Sequence, residues 1–523
     1  MFECRRVQIL RGGVPVIHEI STGFRRGEFS ALVGTSGGGK STFVKALLGL
    51  IPFSGDIRYR GHALTPERIQ GRVGYVPQFS VAYPKLTVEE AVYFHRELHT
   101  ADRSKAVPDV LRTVGLEEHR SKRVEVLSGG QLRRLSLAME LILSPEFLVC
   151  DEVTTGLDPA AEGSILELLK SLTRAEGIGI VCVIHNLDQL PRFDWMVSLS
   201  SGRVAYQGPP PEAGASHVDL QSAPPPEPGP GEAALPPRPH PPWLTQWLRL
   251  LQRRSILFGR DRGYLFLVIA ITLGFPLIVV LFAWNGLPQI QNLGLEHQGG
   301  LGAFLEEVRV RERNLEAANL ATALIMFQVI LLTLIGSNNG AREIAGERPQ
   351  YEHERLHGLS TSGYLMAKLT FTGVLAFLQG LYMMGFVKVV CGFPGSAWLQ
   401  GLLLGVTCLS MTWVALGLSA LYRSAERASL ASIYLVGFQF PLSGVVLALP
   451  EALTWLIRPF IHAYWGWAGY LSTMRTTRLY DAWRLANQDW LPPAWLSAMA
   501  LSGLALAGVV MILVGCRRRF ALG

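Results

Sequence analysis

The spacing of apolar positions divides the chain into two unlike halves. Up to about residue 207 the apolar runs are short. Phe29–Val33, Phe147–Cys150 and Ile180–Ile184 read as strands, and Phe43–Leu50 reads as a helix, which together predict an α/β domain over residues 1–207. From residue 264 the runs reach membrane scale. Tyr264–Trp284 is 21 residues without a charge, enough at about 1.5 Å per residue to cross a hydrocarbon core of about 30 Å. Five further segments, approximately Leu320–Asn339, Leu369–Val390, Trp398–Tyr422, Ser429–Leu449 and Ala494–Cys516, extend this to an all-α, six-helix transmembrane domain over 264–523. Residues 208–242 between the halves carry thirteen of the 31 prolines and predict an extended, semi-rigid linker uncovered by any core. Residues 243–263 follow. Aromatic and aliphatic residues at helical spacing, with arginines opposite, predict a connecting helix lying in the membrane interface.

Charge orients the membrane half. Arg249, Arg253, Arg254, Arg260 and Arg262 precede the first segment, Arg342, Arg348 and Arg355 follow the second, Arg423 and Arg427 follow the fourth, and Arg517, Arg518 and Arg519 follow the sixth. All fall on one side if both termini are cytoplasmic. A hydrophobic content of 49%, a charged content of 17% and a mean hydropathy of +0.26 exclude an ordinary soluble enzyme. The six cysteines form no Cys-x-x-Cys pair, so neither a metal nor a disulfide framework is indicated. The formal charge of +7 is carried by arginines beside apolar helices, which suits anionic lipid headgroups and not nucleic acid. The N-terminus reads as a cytosolic domain without a signal peptide.

Chemistry enters at Gly34-Thr35-Ser36-Gly37-Gly38-Gly39-Lys40-Ser41-Thr42, set between the first strand and the helix. Glycines there let the backbone wrap an anion with successive N–H groups turned inward, and the helix N-terminus adds its positive dipole. Lys40 is placed to reach the β- and γ-phosphates and the Ser41 hydroxyl to ligate Mg²⁺. Asp151 and Glu152 end the strand Phe147–Cys150. Asp151 is expected to hold Mg²⁺ and Glu152 to polarise the attacking water. An Asp-Glu pair standing alone would be read as a strand cap.

With Leu127-Ser128-Gly129-Gly130-Gln131 about ninety residues after the phosphate loop, the first 207 residues resemble the nucleotide-binding domain of the ABC transporter superfamily, a P-loop ATPase. The resemblance implies that Gln78 is the Q-loop metal ligand, that Ser128, Gly129, Gly130 and Gln131 bind ATP held by the other subunit, that Asp158 belongs to the D-loop, and that His185 is the switch histidine of catalysis. Where the family usually has an aromatic residue stacking on adenine, this chain has Ile9-Leu10-Arg11-Gly12, and Arg11 is the candidate to stack there. Val153 replaces the usual proline after the catalytic glutamate.

One ATPase domain followed by six spans resembles the G-type (White) half-transporters and the wider type-2 ABC exporters. That resemblance makes 342–355 a coupling loop, with Glu347, Arg348, Glu354 and Arg355 as its charged residues. It makes 449–493 a partly re-entrant outer region, for which an interfacial aromatic belt is the alternative. It also places Phe327, Gln328, Phe438, Gln439 and Phe440 on spans lining a central substrate cavity, where ordinary interhelical packing is the alternative. No Asp or Glu lies mid-span, where a charge costs about 2.5–3.5 kcal/mol and often marks ion coupling, so ATP is the expected energy source. The outer segments 285–319 and 449–493 contain neither Cys nor an Asn-x-Ser/Thr sequon. Animal members usually carry both, so a bacterial inner membrane is expected. The expected function is ATP-driven export of a hydrophobic or lipid-like substrate by a homodimer, with membrane lipids and an unidentified substrate as the other partners. The alternative is an ATPase that transmits force to an envelope partner without moving a substrate.

Overall fold

The computed structural model describes residues 1–35, 37–211, 224, 238–291, 301–443, 450–487 and 490–517. The described residues form two compact units: one within 1–257 together with 349–364, the other within 258–348 together with 365–517. A stretch that joins two membrane-scale apolar segments in sequence is therefore built into the N-terminal unit.

In the first unit, β1 (Phe2–Arg11), β2 (Val14–Phe24), β4 (Ser54–Tyr59) and β5 (His62–Ala63) form an antiparallel sheet in the order β2-β1-β4-β5. A six-stranded sheet joins β3 (Phe29–Gly34), β6 (Val73–Val76), β7 (Phe147–Cys150), β8 (Gly179–Val183), β9 (Trp195–Ser200) and β10 (Arg203–Gly208) in the order β10-β9-β3-β8-β7-β6. The pairs β3–β8, β3–β9, β6–β7 and β7–β8 are parallel. Their continuous apolar runs are what a sheet covered on both faces requires. Phe29, Ala31, Leu148, Cys150, Ile180 and Cys182 face one apolar core, while Leu32, Phe147, Val149, Val181 and Val183 face the other. The parallel strand ends thus present their loops at one edge of a rigid sheet, where ligands bind in such folds.

The described end of the proline-rich stretch is not the uncovered linker expected. Arg238 donates to the carbonyls of Gly71 (2.7 Å), Leu143 (2.5 Å) and Ser144 (2.8 Å), and His240 Nδ1 lies 3.0 Å from the His99 carbonyl. Most of 208–242 lies outside the described residues. The connecting helix, Trp243–Arg260, buries Gln246, Leu250, Arg253 and Leu257. Gln246 donates to the carbonyls of Leu98 (2.8 Å) and Gly358 (3.1 Å). The face read as facing lipid thus includes residues packed on protein, because amphipathicity shows that a face is covered and not by what.

Five described helices are long and apolar enough to cross a membrane: Arg262–Gly286, Val308–Leu356, Thr361–Cys391, Ala397–Leu421 and Ala494–Arg517, and all but residues 349–356 and 361–364 of them belong to the second unit. The described part of Ser429–Leu449 holds no helix long enough to qualify. Its helix, Ala425–Gly437, has 13 residues, about 20 Å at 1.5 Å each, and residues 444–449 lie outside the described ones. The helix Leu301–Gly340 runs 40 residues, well beyond the apolar span 320–339. Its charged first half stops a hydropathy window but not a helix, since Glu, Arg and Leu all favour helix. Gly336 and Gly340 let this helix approach the backbone of Ala397–Leu421, for a Cβ at either would run into the carbonyl oxygens of Cys408 and Thr412. In the 449–493 region, helix His462–Ser472 is almost wholly buried, and Trp467 packs edge-on to Trp483 with ring centroids 6.1 Å apart.

Candidate functional site

The phosphate loop begins where β3 ends. Gly34 has φ +149°, and a Cβ there would collide with the Leu199 carbonyl oxygen, so only glycine fits the exit from the strand. The chain then turns, with Gly38 N–H donating to the Thr35 carbonyl (3.0 Å), and enters helix Lys40–Leu47. The Lys40 ammonium folds back to donate to the carbonyls of Gly34 (2.8 Å) and Thr35 (3.0 Å). Burial lowers its pKa, against the charges of Glu152 and Asp151. It is a desolvated cation next to weak acceptors, which an anion in the loop would satisfy better. Ser36 lies outside the described residues, and Thr42 is half-buried in the first turn of the helix.

The end of β7 delivers the acids. Asp151 Oδ1 accepts from Ser41 Oγ at 3.3 Å, and Oδ2 from Tyr75 Oη at 3.5 Å. Burial pushes the Asp151 carboxyl up and the neighbouring Glu152 adds to it, opposed by Ser41 and Lys45. A carboxylate so disfavoured as an anion, beside a hydroxyl, is a hard oxygen donor set that a cation such as Mg²⁺ fits.

Glu152 has φ +52°, a left-handed backbone that costs a non-glycine residue on the order of 1–3 kcal/mol and clusters at functional sites. Its carboxylate is where three separate segments meet. Gln78 Nε2 donates to Oε2 at 2.8 Å, His185 Nε2 lies 2.7 Å from Oε1, and Thr155 Oγ1 donates to Oε2 at 3.5 Å. Gln78, Glu152 and His185, expected separately, are thus brought together.

The signature residues are placed differently. Ser128 and Gln131 form a capping box on helix Gly129–Leu141: Ser128 Oγ accepts from Gln131 N–H at 3.4 Å, and Gln131 Oε1 accepts from Ser128 N–H at 3.0 Å. Gln131 Nε2 lies 2.8 Å from His119 Nε2. Among the described residues no hydrogen bond joins residues 128–131 to the phosphate loop. Asp158 caps helix Pro159–Glu176 by accepting from Ala161 N–H at 2.9 Å. Arg11 is exposed at the end of β1, close enough that its charge helps lower the pKa of Lys45, whose largest cause is burial.

Two contributors were not singled out from the sequence. Tyr75 reaches Asp151, and Arg133 donates to the carbonyls of Gln78 and, at 3.5 Å, Pro77, pinning the Q-loop to the signature helix. Arg133 sits four residues after Gly129, on one helical face, which is the signal that could have found it.

The charged residues of 342–355 split between the units. The expected loop contains a helix, Arg348–Leu356. In the second unit, Lys368 binds Glu343 (2.9 Å) and Glu347 (2.5 Å), and Arg348 donates to the carbonyls of Ala420 and, at 3.3 Å, Tyr422. In the first unit, Glu354 takes both arms of Arg253, and the Arg355 guanidinium stands 5.7 Å from the Tyr351 ring centre. Of the expected cavity residues, Phe327 and Phe440 line a cavity of about 380 Å³ in the second unit, with Asn319, Arg458, Trp467 and Trp490. Phe438 is exposed, and Gln439 is buried and accepts from Ala463 N–H at 3.1 Å, a packing role. Gln328 is buried, and neither of its amide atoms has a partner.

Residues 17–155 match the family described as "ABC transporter", and residues 245–477 match the family described as "ABC-2 type transporter". Aligned over 521 positions, the chain is 28% identical to the ABC transporter ATP-binding/permease protein Rv1747 of Mycobacterium tuberculosis, covering 90% of this chain and 57% of that protein. Its N-terminal part is 33% identical over 227 residues to the phosphonates import ATP-binding protein PhnC of Trichormus variabilis, covering 40% of this chain and 93% of the relative. It is 38% identical over 210 residues to the Nod factor export ATP-binding protein I of Ralstonia nicotianae, covering 38% of this chain and 64% of the relative. The chain thus spans little more than half the length of its mycobacterial relative.

Proposed function

The chain belongs to the ABC transporter superfamily, with an ATP-binding half and an ABC-2 type membrane half, and on that premise we propose that it hydrolyses ATP to export an apolar, lipid-like substrate as a dimer of half-transporters. It is an integral membrane protein, read here as residing in a bacterial inner membrane with the ATPase unit and both termini cytoplasmic. The observation that carries the reading is the meeting of Gln78, Glu152 and His185 beside the Ser41–Asp151 pair.

In this reading Lys40 leaves its two loop carbonyls for the β- and γ-phosphates, and the loop N–H groups and helix N-terminus hold the remaining phosphate charge. Ser41, Asp151 and Gln78 would hold Mg²⁺, which would supply positive charge against that developing on the phosphates. Glu152 orients and polarises the water that attacks the γ-phosphorus, and His185, hydrogen-bonded to it, fixes the carboxylate and faces the same phosphate. Ser128 already caps its own helix, so the same hydroxyl and helix N-terminus form an anion site for ATP on a second copy of the chain, most simply an identical one.

Relatives of the ATPase half are named for both import and export, so direction rests on the ABC-2 membrane half and its resemblance to type-2 exporters. The cavity supports the substrate class. Aromatic walls with Asn319 and Arg458 at about 380 Å³ suit an apolar body with a polar head. In proteoliposomes, ATP should move a fluorescent phospholipid or glycolipid between leaflets, and Trp467→Ala should slow this with ATP binding unchanged. Vigorous ATP hydrolysis with no movement across a lipid and drug panel would instead favour a force-transmitting ATPase.

Assembly has its own test. Mixing Lys40→Ala with Ser128→Arg chains leaves each heterodimer one site with both defects and one with neither. ATPase activity should recover on mixing, toward half the parental rate per heterodimer. Two inactive variants that remain inactive when mixed would remove the shared-site arrangement.

A further inference from the structure

Five buried titratable side chains that the ATPase chemistry leaves unused meet inside the N-terminal unit. His95 and His99 stand one turn apart on one face of helix Val88–His99, and His353 lies near the C-terminal end of Arg348–Leu356 with His357 in the turn just after it. Glu140, from the last turn of the signature helix, lies among them. None of the five is more than 2% exposed. Ring centres of His95 and His99 are 4.6 Å apart, those of His353 and His357 4.8 Å, and His95 lies 5.3 Å from His357.

The hydrogen bonds do not close this cluster. His357 Nδ1 is 3.0 Å from the His353 carbonyl, an acceptor, so Nδ1 carries a proton. Its Nε2 is 2.8 Å from Glu140 Oε2. A lone pair cannot face a carboxylate oxygen at that distance, so either a proton or a cation stands between them. His353 Nε2 is 3.0 Å from the Tyr75 carbonyl and 3.2 Å from Glu140 Oε1. His95 Nε2, 4.0 Å from Glu140 Oε1, has no hydrogen-bond partner, and neither ring nitrogen of His99 has one. Burial holds the His95 and His99 imidazoles neutral, well below their ordinary pKa, which is the form that ligates metals. Burial would also lower His357, but the Glu140 carboxylate outweighs it and raises that pKa. A void of about 10 Å³, lined in part by His95 and His353, adjoins the cluster, about the space of one water-sized sphere.

We propose that His95, Glu140 and His357, with His99 as the adjoining fourth donor, bind one divalent transition-metal ion of the zinc type. The ligating atoms of His95, Glu140 and His357 already lie within 4.8 Å of one another. Bond lengths of about 2.0–2.2 Å in a tetrahedral site imply ligand separations of about 3.3–3.5 Å, so His95, at 4.0 Å from Glu140, has to swing inward and the His357–Glu140 pair, at 2.8 Å, has to open slightly. Imidazole with one carboxylate selects Zn²⁺ and its neighbours over Mg²⁺ or Ca²⁺. The ion takes the place of the proton between His357 and Glu140. It also bolts the turn that follows Arg348–Leu356 to the signature helix and to Val88–His99, making the stiffness of this joint depend on metal.

The test uses the full-length, tag-free protein in detergent, stripped with chelator and dialysed against Zn²⁺. One ion per chain should bind, releasing about one proton near neutral pH, measured by calorimetry in two buffers of different ionisation enthalpy. His95→Asn and His357→Gln should each weaken binding by at least about tenfold, while His18→Ala should bind as the parent does. Thermal unfolding keeps the outcome decisive if a variant is less stable. Zn²⁺ should raise the Tm of the parent and leave that of His95→Asn unmoved. Equal Zn²⁺ stoichiometry and affinity in parent, His95→Asn and His357→Gln would mean surface histidines only, and the proposal would fall. So would a parent that binds no Zn²⁺ at micromolar concentration.

Discussion

Glu152→Gln protein should bind ATP as tightly as the parent and turn it over about 10²–10⁴ times more slowly, the usual contribution of a positioned general base. The substitution keeps the size and hydrogen-bonding reach of the side chain, so the φ of +52° at this position and the contacts from Gln78 and His185 have no steric reason to change. What is lost is the negative charge that polarises water. Stability should therefore be near parental, and the variant should trap ATP where the parent releases ADP. Nucleotide retained per chain after a single-turnover incubation, together with steady-state phosphate release, measures both halves. Phosphate release within a factor of ten of the parent would remove Glu152 from its assigned role.

The largest effect on stability is expected at Glu354→Ala. Arg253 and Glu354 are 5% and 6% exposed and doubly hydrogen-bonded. Arg253 also donates to Tyr83 Oη at 3.1 Å, with its guanidinium 4.4 Å from that ring centre. Removing the carboxylate strands a buried guanidinium, which costs about 3–5 kcal/mol, whereas replacing both partners by apolar residues is often close to neutral. Glu354→Ala should therefore speed amide exchange locally across residues 246–257 and 349–357, and Arg253→Met with Glu354→Leu should return it toward the parental rate. Exchange in Glu354→Ala indistinguishable from the parent would show that the pair contributes little. If this pair also transmits closure, the apolar double variant should hydrolyse ATP normally and transport poorly.

The ATP-binding half was legible because its chemistry is local. A phosphate loop must be a glycine turn between a strand and a helix, and both flanking elements are present, the strand at Phe29–Gly34 and the helix at Lys40–Leu47, which starts and ends three residues before the apolar run Phe43–Leu50. Membrane helices were legible for a similar reason, since 20 apolar residues have few other uses. The exception is instructive. Ser429–Leu449 is apolar enough by composition, yet its described helix stops at Gly437, and apolar content does not say where backbone hydrogen bonding changes course.

By itself, then, the sequence determined the family and the two halves, and it singled out Lys40, Ser41, Asp151 and Glu152, whose proposed roles rest on local motifs. Tertiary structure decided what lies far apart in the chain. It brought Gln78 and His185 onto Glu152 across 74 and 33 residues, packed one face of the connecting helix on protein, and placed residues 349–364 in the N-terminal unit. The histidine cluster shows the divide most sharply. His95, Glu140 and His357 are spread over 262 residues with no metal-ligand spacing between them, and His357 reaches Glu140 across 217 positions. Local periodicity encodes which face of each helix is buried. Only packing of three helices against one another decides that those faces share one carboxylate.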